Sequence, residues 1–182
     1  WSHDMGGFVQ STPEGLYKRW IPFGFLTSHT RAHGAPPTEP WLYNENLMEV
    51  FRRCAEMKYS LMPYIMEQAE QCVTQGLPML RALLLEYPDD PAVWNIDDQY
   101  LFGSEILVAP LMDETKNRYV YLPEGKWVDY QTKKIYPSGW NMVAAGNIPC
   151  IILVRKGAVI PHVPVAQSTS EIDWSMVYNV KY

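Results

Sequence analysis

Two short segments hold the residues whose types and spacing could do chemistry. The first, Trp1-Ser-His-Asp4-Met-Gly-Gly-Phe8, places a carboxylate at the end of a strand-like stretch that opens at once into two glycines. A parallel α/β barrel builds its active site at that place, the carboxyl ends of its strands. Asp4 has two blander alternatives, capping the next helix or pairing with a buried arginine. The second segment, Thr27-Ser-His29-Thr-Arg31-Ala-His33-Gly34, ends a strand on an arginine, a histidine and a glycine. A guanidinium offers a planar fork of donors and a neutral imidazole both donates and accepts, so together they can grip a polar ligand. Arg31 could instead be structural and lock a rim carboxylate in place. His29 alternates differently along the chain and reads as a core histidine.

Phe8, Trp20, Phe23, Trp41 and Tyr43 suit stacking against the apolar faces of pyranose rings, although core packing is the default for most of them. Asp89-Asp90-Pro91 and Asp97-Asp98 look like paired carboxylates, but their surroundings read as solvated turns. No nucleophile elbow, phosphate loop or dinucleotide fingerprint occurs.

These residues need elements to hold them. Up to about residue 105 the sequence alternates strands with helices. Gly6-Gly7 turns the chain after a first strand, and Ser11-Thr-Pro-Glu14 has the form of a capping box with proline in the first turn. Leu16, Trp20 and Phe23 supply the apolar stripe of a helix ending at Gly24. Phe25 to Arg31 is a second strand, followed by a loop rich in Gly and Pro from His33 to Pro40. From Asn44 onward, Leu47, Val50, Phe51, Cys54, Met57 and Leu61 recur at helical spacing. Pro63 kinks that helix or begins another, which Gly76 closes. The apolar run Met79 to Tyr87 reads as a strand buried on both faces. This order predicts parallel pairing in three βα units, too few to close a barrel of eight.

After Gly103 the helices stop. Short strands at 106–109, 118–122, 126–130, 150–154 and 158–160, separated by Pro123-Glu-Gly125, Pro137-Ser-Gly139 and Gly157, have the spacing of an antiparallel β-sandwich. The tail from Gln167 is polar and ends in a strand-like segment, Trp174 to Val180. The expected division is therefore 1–105, 106–165 and a linker or start of a further β domain at 166–182.

A chain that is 47% hydrophobic and only 19% charged has material for a packed core. Its net charge of -5 is spread without acidic or basic runs, which disfavours nucleic acid and anionic lipid as partners. Three cysteines, Cys54, Cys72 and Cys150, sit in apolar surroundings without zinc-site spacing and read as reduced core thiols. No Asn-x-Ser/Thr sequon occurs, and both features lean towards a cytoplasmic protein. No apolar run approaches the roughly 20 residues that span a bilayer. No metal or cofactor is expected. The sequence lacks an initiator methionine and begins inside an aromatic stretch, so it is expected to be a piece of a longer protein whose leader, if any, is hidden.

Taken in order, Trp1–Phe8, Leu16-Tyr-Lys-Arg-Trp20, Ser28–Gly34, Leu61-Met-Pro-Tyr64, Leu83-Leu-Leu-Glu-Tyr-Pro-Asp-Asp90, Tyr100-Leu-Phe-Gly103, Ile106-Leu-Val-Ala-Pro110 and Tyr121-Leu-Pro-Glu-Gly-Lys-Trp127 resemble glycoside hydrolase family 31. The likeness covers about residues 1 to 165. Ser28-His29-x-Arg31-x-His33-Gly34, followed by Pro40-Trp41 and Tyr43, is more similar to α-xylosidases of that family than to α-glucosidases.

The resemblance implies the last three βα units of a (β/α)8 TIM barrel followed by the adjoining β-sandwich, in an exo-acting retaining enzyme. One Asp would attack the anomeric carbon and a second would protonate the leaving oxygen, the two lying about 5 to 5.5 Å apart. In the family both precede the segment matched by Trp1 to Phe8, so no catalytic residue is expected here and the chain alone should be inactive. Asp4 corresponds to an Asp that supports a sugar-binding arginine further upstream. His33 corresponds to the histidine that hydrogen-bonds hydroxyls of the cleaved sugar, Arg31 to an arginine that shapes the pocket, and Phe8 to an aromatic in its wall. The implied partners are a small saccharide and the N-terminal portion of the same enzyme, with a homo-oligomer left open. A rival reading is a non-catalytic carbohydrate-binding or assembly piece.

Overall fold

A computed structural model describes residues 3–182; Trp1 and Ser2, part of the expected first strand, lie outside the described residues. The first helix, α1, spans Glu14–Phe25. Its expected capping box does not form. Pro13 occupies the N-cap without a side-chain hydrogen bond, and the Thr12 hydroxyl instead donates to the Gly6 carbonyl, tying the helix start to the Gly-Gly turn. Gly6 and Gly7 both adopt positive φ, at 87° and 83°, which glycine enters without the Cβ penalty of other residues.

The two expected parallel strands shrink, among the described residues, to one parallel bridge between Met5 and Ala32. Phe25 is the last residue of α1 rather than the first of a strand. After it the chain bends, because the Thr27 and Thr30 hydroxyls both donate back to the Gly24 carbonyl, at 2.7 and 3.0 Å.

Helix α2, Glu45–Ser60, begins where Asn44 accepts the Leu47 N–H, and buries Leu47, Val50, Cys54 and Met57 on the stripe read from the sequence. Pro63 starts a new helix instead of kinking the old one. It lies in the first turn of α3, Met62–Gln75, where its missing N–H is not needed. Gly76 ends α3 in the left-handed conformation, φ 72°.

The run from Met79 to Tyr87 departs from the expected buried parallel strand. Only Leu80–Ala82 forms a strand, β1, and Leu83–Glu86 turns into a short helix, α4. β1 pairs antiparallel with β2, Tyr100–Phe102, so it joins the following sheet rather than a third βα unit. The cause is a tether: Arg81 is 2% exposed and bonds the Pro78 carbonyl and the side chains of Glu86, Gln68 and Gln71.

The sheet has six strands in the order β1-β2-β3-β6-β4-β5, with β3 at Ile106–Pro110, β4 at Asn117–Asp129, β5 at Ile135–Ala144 and β6 at Cys150–Arg155. Every pairing is antiparallel. The Pro-Glu-Gly turn expected to separate two strands is a bulge inside β4, and Pro137-Ser-Gly139 lies within β5. β3 and β6 are buried on both faces. One face, with Ile106, Val108, Cys150 and Ile152, packs on the helices. The other, with Leu107, Ala109, Ile151 and Leu153, packs on Val120, Leu122 and Val143 of the β4–β5 hairpin. The hairpin thus arches back over its own sheet, and the two-layer packing expected of a sandwich arises from one coiled sheet. Each aliphatic side chain buried here contributes roughly 1.5 to 3 kcal/mol.

The tail contributes β8, Tyr178–Lys181, which folds back to pair with β7, Val159–His162. Cys54 and Cys150 are buried and Cys72 is half-buried, and all three are free thiols. Among the described residues no helix is long and apolar enough to cross a membrane.

Candidate functional site

The Met5–Ala32 bridge brings the two chemical segments together. Met5 N–H donates to the Arg31 carbonyl at 3.1 Å. The residues preceding the bridge, Asp4 and Arg31, are thereby neighbours, and Arg31 Nε donates to Asp4 Oδ1 at 2.5 Å. Of the openings left by the sequence, Asp4 therefore takes the ion pair and not the helix cap. Its arginine is not buried, since the Arg31 side chain is 56% exposed.

Beyond the bridge the two loops are clasped. Ala35 N–H donates to the Phe8 carbonyl at 2.7 Å, and Tyr17 OH donates to the Thr38 carbonyl at 2.6 Å. Gly34 permits this approach, because a Cβ there would lie 2.6 Å from the Gly7 carbonyl oxygen. The clasp sets the Phe8 and His33 rings 5.5 Å apart, tilted by 46°. All four sequence-predicted residues, Asp4, Phe8, Arg31 and His33, thus lie on the two clasped segments. Phe8 and His33 are exposed. His33 also opens on a shallow cleft of about 300 Å³ lined by residues 32–39.

His29 corrects the expectation of a core histidine. It is exposed, and its Nδ1 lies 3.0 Å from Ser28 Oγ. His3 takes the inner place, with Nδ1 accepting from Trp20 Nε1 at 2.9 Å and its ring stacked on Phe23 at 4.9 Å. Burial lowers its pKa and favours the neutral ring. Trp20 and Phe23 are therefore packing residues, whereas Trp41 is 67% exposed.

In each of the two carboxylate pairs one member serves the fold. Asp90 accepts from Ala92 N–H and from Tyr121 OH, and Asp98 pairs with Arg118. Among the described residues no group of three or more His, Cys, Asp or Glu is arranged to hold a metal ion.

Two contacts were not legible in the sequence. Tyr100 OH, from the sheet, donates to the Leu26 carbonyl at 2.8 Å. Lys58, from α2, donates to the Thr27 carbonyl at 3.0 Å and to the Thr30 hydroxyl. Both support the turn beneath Arg31 from far along the chain, and no local motif signals them. An aromatic beside an imidazole, next to an arginine held by a carboxylate, can bind a neutral polyhydroxylated ring: the apolar face packs on Phe8 while hydroxyls meet donors and acceptors.

Comparison with known proteins gives the family of the chain. Residues 1–68 match the profile described as "Glycosyl hydrolases family 31 TIM-barrel domain", and residues 76–160 that described as "Glycosyl hydrolase family 31 C-terminal domain". The chain is 38% identical over 173 residues to an alpha-xylosidase of Emericella nidulans, covering 88% of this chain and 22% of that protein. It is 39% identical over 169 residues to the alpha-xylosidase XylQ of Lactiplantibacillus pentosus, again covering 88% of this chain and 22% of that protein. Among solved structures, a family 31 dextranase of Flavobacterium johnsoniae complexed with glucose superposes with a TM-score of 0.88 at 36% identity, covering 94% of this chain and 22% of that one. The chain thus spans about a fifth of the length of these relatives.

Proposed function

The chain belongs to glycosyl hydrolase family 31, with the tail of its TIM-barrel domain and its C-terminal domain, and from that premise we propose that it supplies one wall of the sugar pocket in an exo-acting retaining α-xylosidase. The observation that carries this reading is the clasped pair of loops that sets the Phe8 and His33 rings 5.5 Å apart beside the Asp4–Arg31 ion pair. His33 hydrogen-bonds hydroxyls of the sugar being cleaved, Phe8 covers its apolar face, and Asp4 holds Arg31 at the rim.

We read Asp4, which is paired with Arg31, as a support for the rim and not as the nucleophile. A retaining hydrolase needs two carboxyl groups about 5 to 5.5 Å apart, one to attack the anomeric carbon and one to protonate the leaving oxygen and later activate water. We assign both to the portion of the enzyme that lies outside this chain. The reduced thiols and the missing sequon support a cytoplasmic enzyme.

The xylosidase reading is favoured by likeness to two alpha-xylosidases at 38% and 39% identity. An α-glucosidase-type specificity is the second reading, favoured by the likeness to the dextranase complexed with glucose. The kcat/KM values of the whole enzyme for p-nitrophenyl α-xyloside and α-glucoside separate them. A preference for the xyloside of about tenfold or more, equivalent to ~1.4 kcal/mol, supports the first reading, and the reverse preference sinks it.

A further inference from the structure

We propose that Lys58 is a positioning residue for sugar binding: its ammonium group clamps the turn Thr27–Thr30 and so fixes where Arg31 and His33 stand at the rim. This inference rests on the reading of His33 as a sugar ligand. Lys58 lies near the end of α2, 31 residues from Thr27 and 28 from Thr30. It donates to the Thr27 carbonyl at 3.0 Å and to the Thr30 hydroxyl.

The direction of each hydrogen bond is consistent. The Thr30 hydroxyl gives its own proton to the Gly24 carbonyl at 3.0 Å, which leaves its lone pairs to accept from Lys58. The Thr27 hydroxyl points its proton between the carbonyls of Gly24 and His29, at 2.7 and 2.8 Å. The turn is thus closed from inside by two threonines and held from outside by one cation.

What the clamp holds is the approach to the site. Thr30 precedes Arg31, whose carbonyl accepts from Met5 and whose side chain pairs with Asp4. Ala32 then forms the bridge, and His33 follows. Between Phe25 and Ala32 the chain has no helix or strand of its own, so side-chain bonds replace a ladder in setting its path. Hydrogen bonds with one charged partner are roughly twice as strong as neutral ones. An ammonium group is therefore suited to hold a turn that regular structure does not.

The test uses the whole enzyme and measures kcat, KM, thermal stability and the inhibition constant of the monosaccharide product. Lys58→Met keeps the length of the stem and removes the donor. We expect it to raise the inhibition constant and KM about tenfold with a smaller change in kcat, and without lowering the melting temperature, because the cost of burying the charge goes with the donor and offsets the lost bonds. Lys58→Arg should restore the inhibition constant to within about threefold, and Thr30→Val, which removes one of the two acceptors of Lys58 together with the bond to the Gly24 carbonyl, should weaken binding in the same direction as Lys58→Met. In a His33→Ala background Lys58→Met should add little, because both act on one contact.

If His33→Ala weakens sugar binding and Lys58→Met does not, the clamp has no part in binding and the inference fails. A loss of binding that follows a fall in melting temperature and is not restored by Lys58→Arg makes the residue merely structural, which also overturns it. An unchanged inhibition constant in His33→Ala removes the reading of the site itself, and the Lys58 inference with it.

Discussion

Arg31 Nε meets Asp4 Oδ1 at 2.5 Å, one residue ahead of the parallel bridge that joins Met5 to Ala32. With the Arg31 side chain 56% exposed, solvent screens the pair and its contribution to stability is at most about 1 kcal/mol. Asp4→Asn in the whole enzyme should leave the melting temperature within a few degrees and raise the inhibition constant of the product sugar about tenfold. Thermal unfolding and inhibition measured on one preparation decide it. A fall in stability with unchanged affinity would assign the pair to the scaffold instead.

Gly34→Ala should damage the site through the backbone. The added methyl would sit 2.6 Å from the Gly7 carbonyl oxygen, and the clasp between Ala35 and Phe8 must then open. Crowding of this kind costs about 1 to 3 kcal/mol, and KM should rise several-fold as the Phe8 and His33 rings separate. Gly76→Ala is the control. Its Cβ meets nothing within 4 Å and its φ is 72°, so it should cost about 1 kcal/mol of strain and leave KM unchanged. Equal kinetic effects from both would count against the clasp.

Local signals carried much of this architecture. The stripe Leu47, Val50, Cys54, Met57 is buried as its spacing predicts, and Gly76 closes α3. The segments holding Asp4, Phe8, Arg31 and His33 were legible because motif order located them. Three things were not. The run from Met79 to Tyr87 looked like one strand, because apolar residues alone do not tell a buried strand from a strand followed by a helical turn; the buried Arg81 decided between them through partners on α3. Pro123-Glu-Gly125 reads as a turn, yet the same residues make a bulge once β5 pairs on both sides of it. Lys58 lies in no motif, and its contacts with Thr27 and Thr30 depend on tertiary packing that no window of sequence contains.

The cysteines give a chemical check on the fold. Burial pushes the Cys150 thiol up to about 12 and the Cys54 thiol still further from its ordinary range, so neither forms the thiolate that reacts. Cys72 is half-buried. A thiol reagent at neutral pH should label Cys72 alone in the folded chain and all three cysteines in denaturant. Prompt labelling of Cys54 or Cys150 without denaturant would mean that the interface between α2 and the sheet is open.

Lys58 should also leave a mark on stability against pH. Burial lowers its pKa from 10.5 to about 8 in the fold, whereas in the unfolded chain it titrates near its ordinary value of roughly 10.4. Below about 8 both states are protonated, and the penalty for burying the charge is fully present. Between about 8 and 10.5 the unfolded chain holds a proton that the folded chain has released, so this residue makes stability rise with pH. Two tyrosines act in the opposite sense at higher pH: burial raises the buried Tyr17 and the half-buried Tyr130 to about 12, and their stabilisation is lost as pH climbs from about 10 towards 12. The clean quantity is therefore the difference in unfolding free energy between Lys58→Met and the parent, followed from pH 7 to 10. In that difference the tyrosines cancel, and the advantage of the variant should shrink steadily above pH 8. A difference that stays flat to pH 10 would show that Lys58 keeps its ordinary titration and that its amine is not held in the buried position beneath the turn.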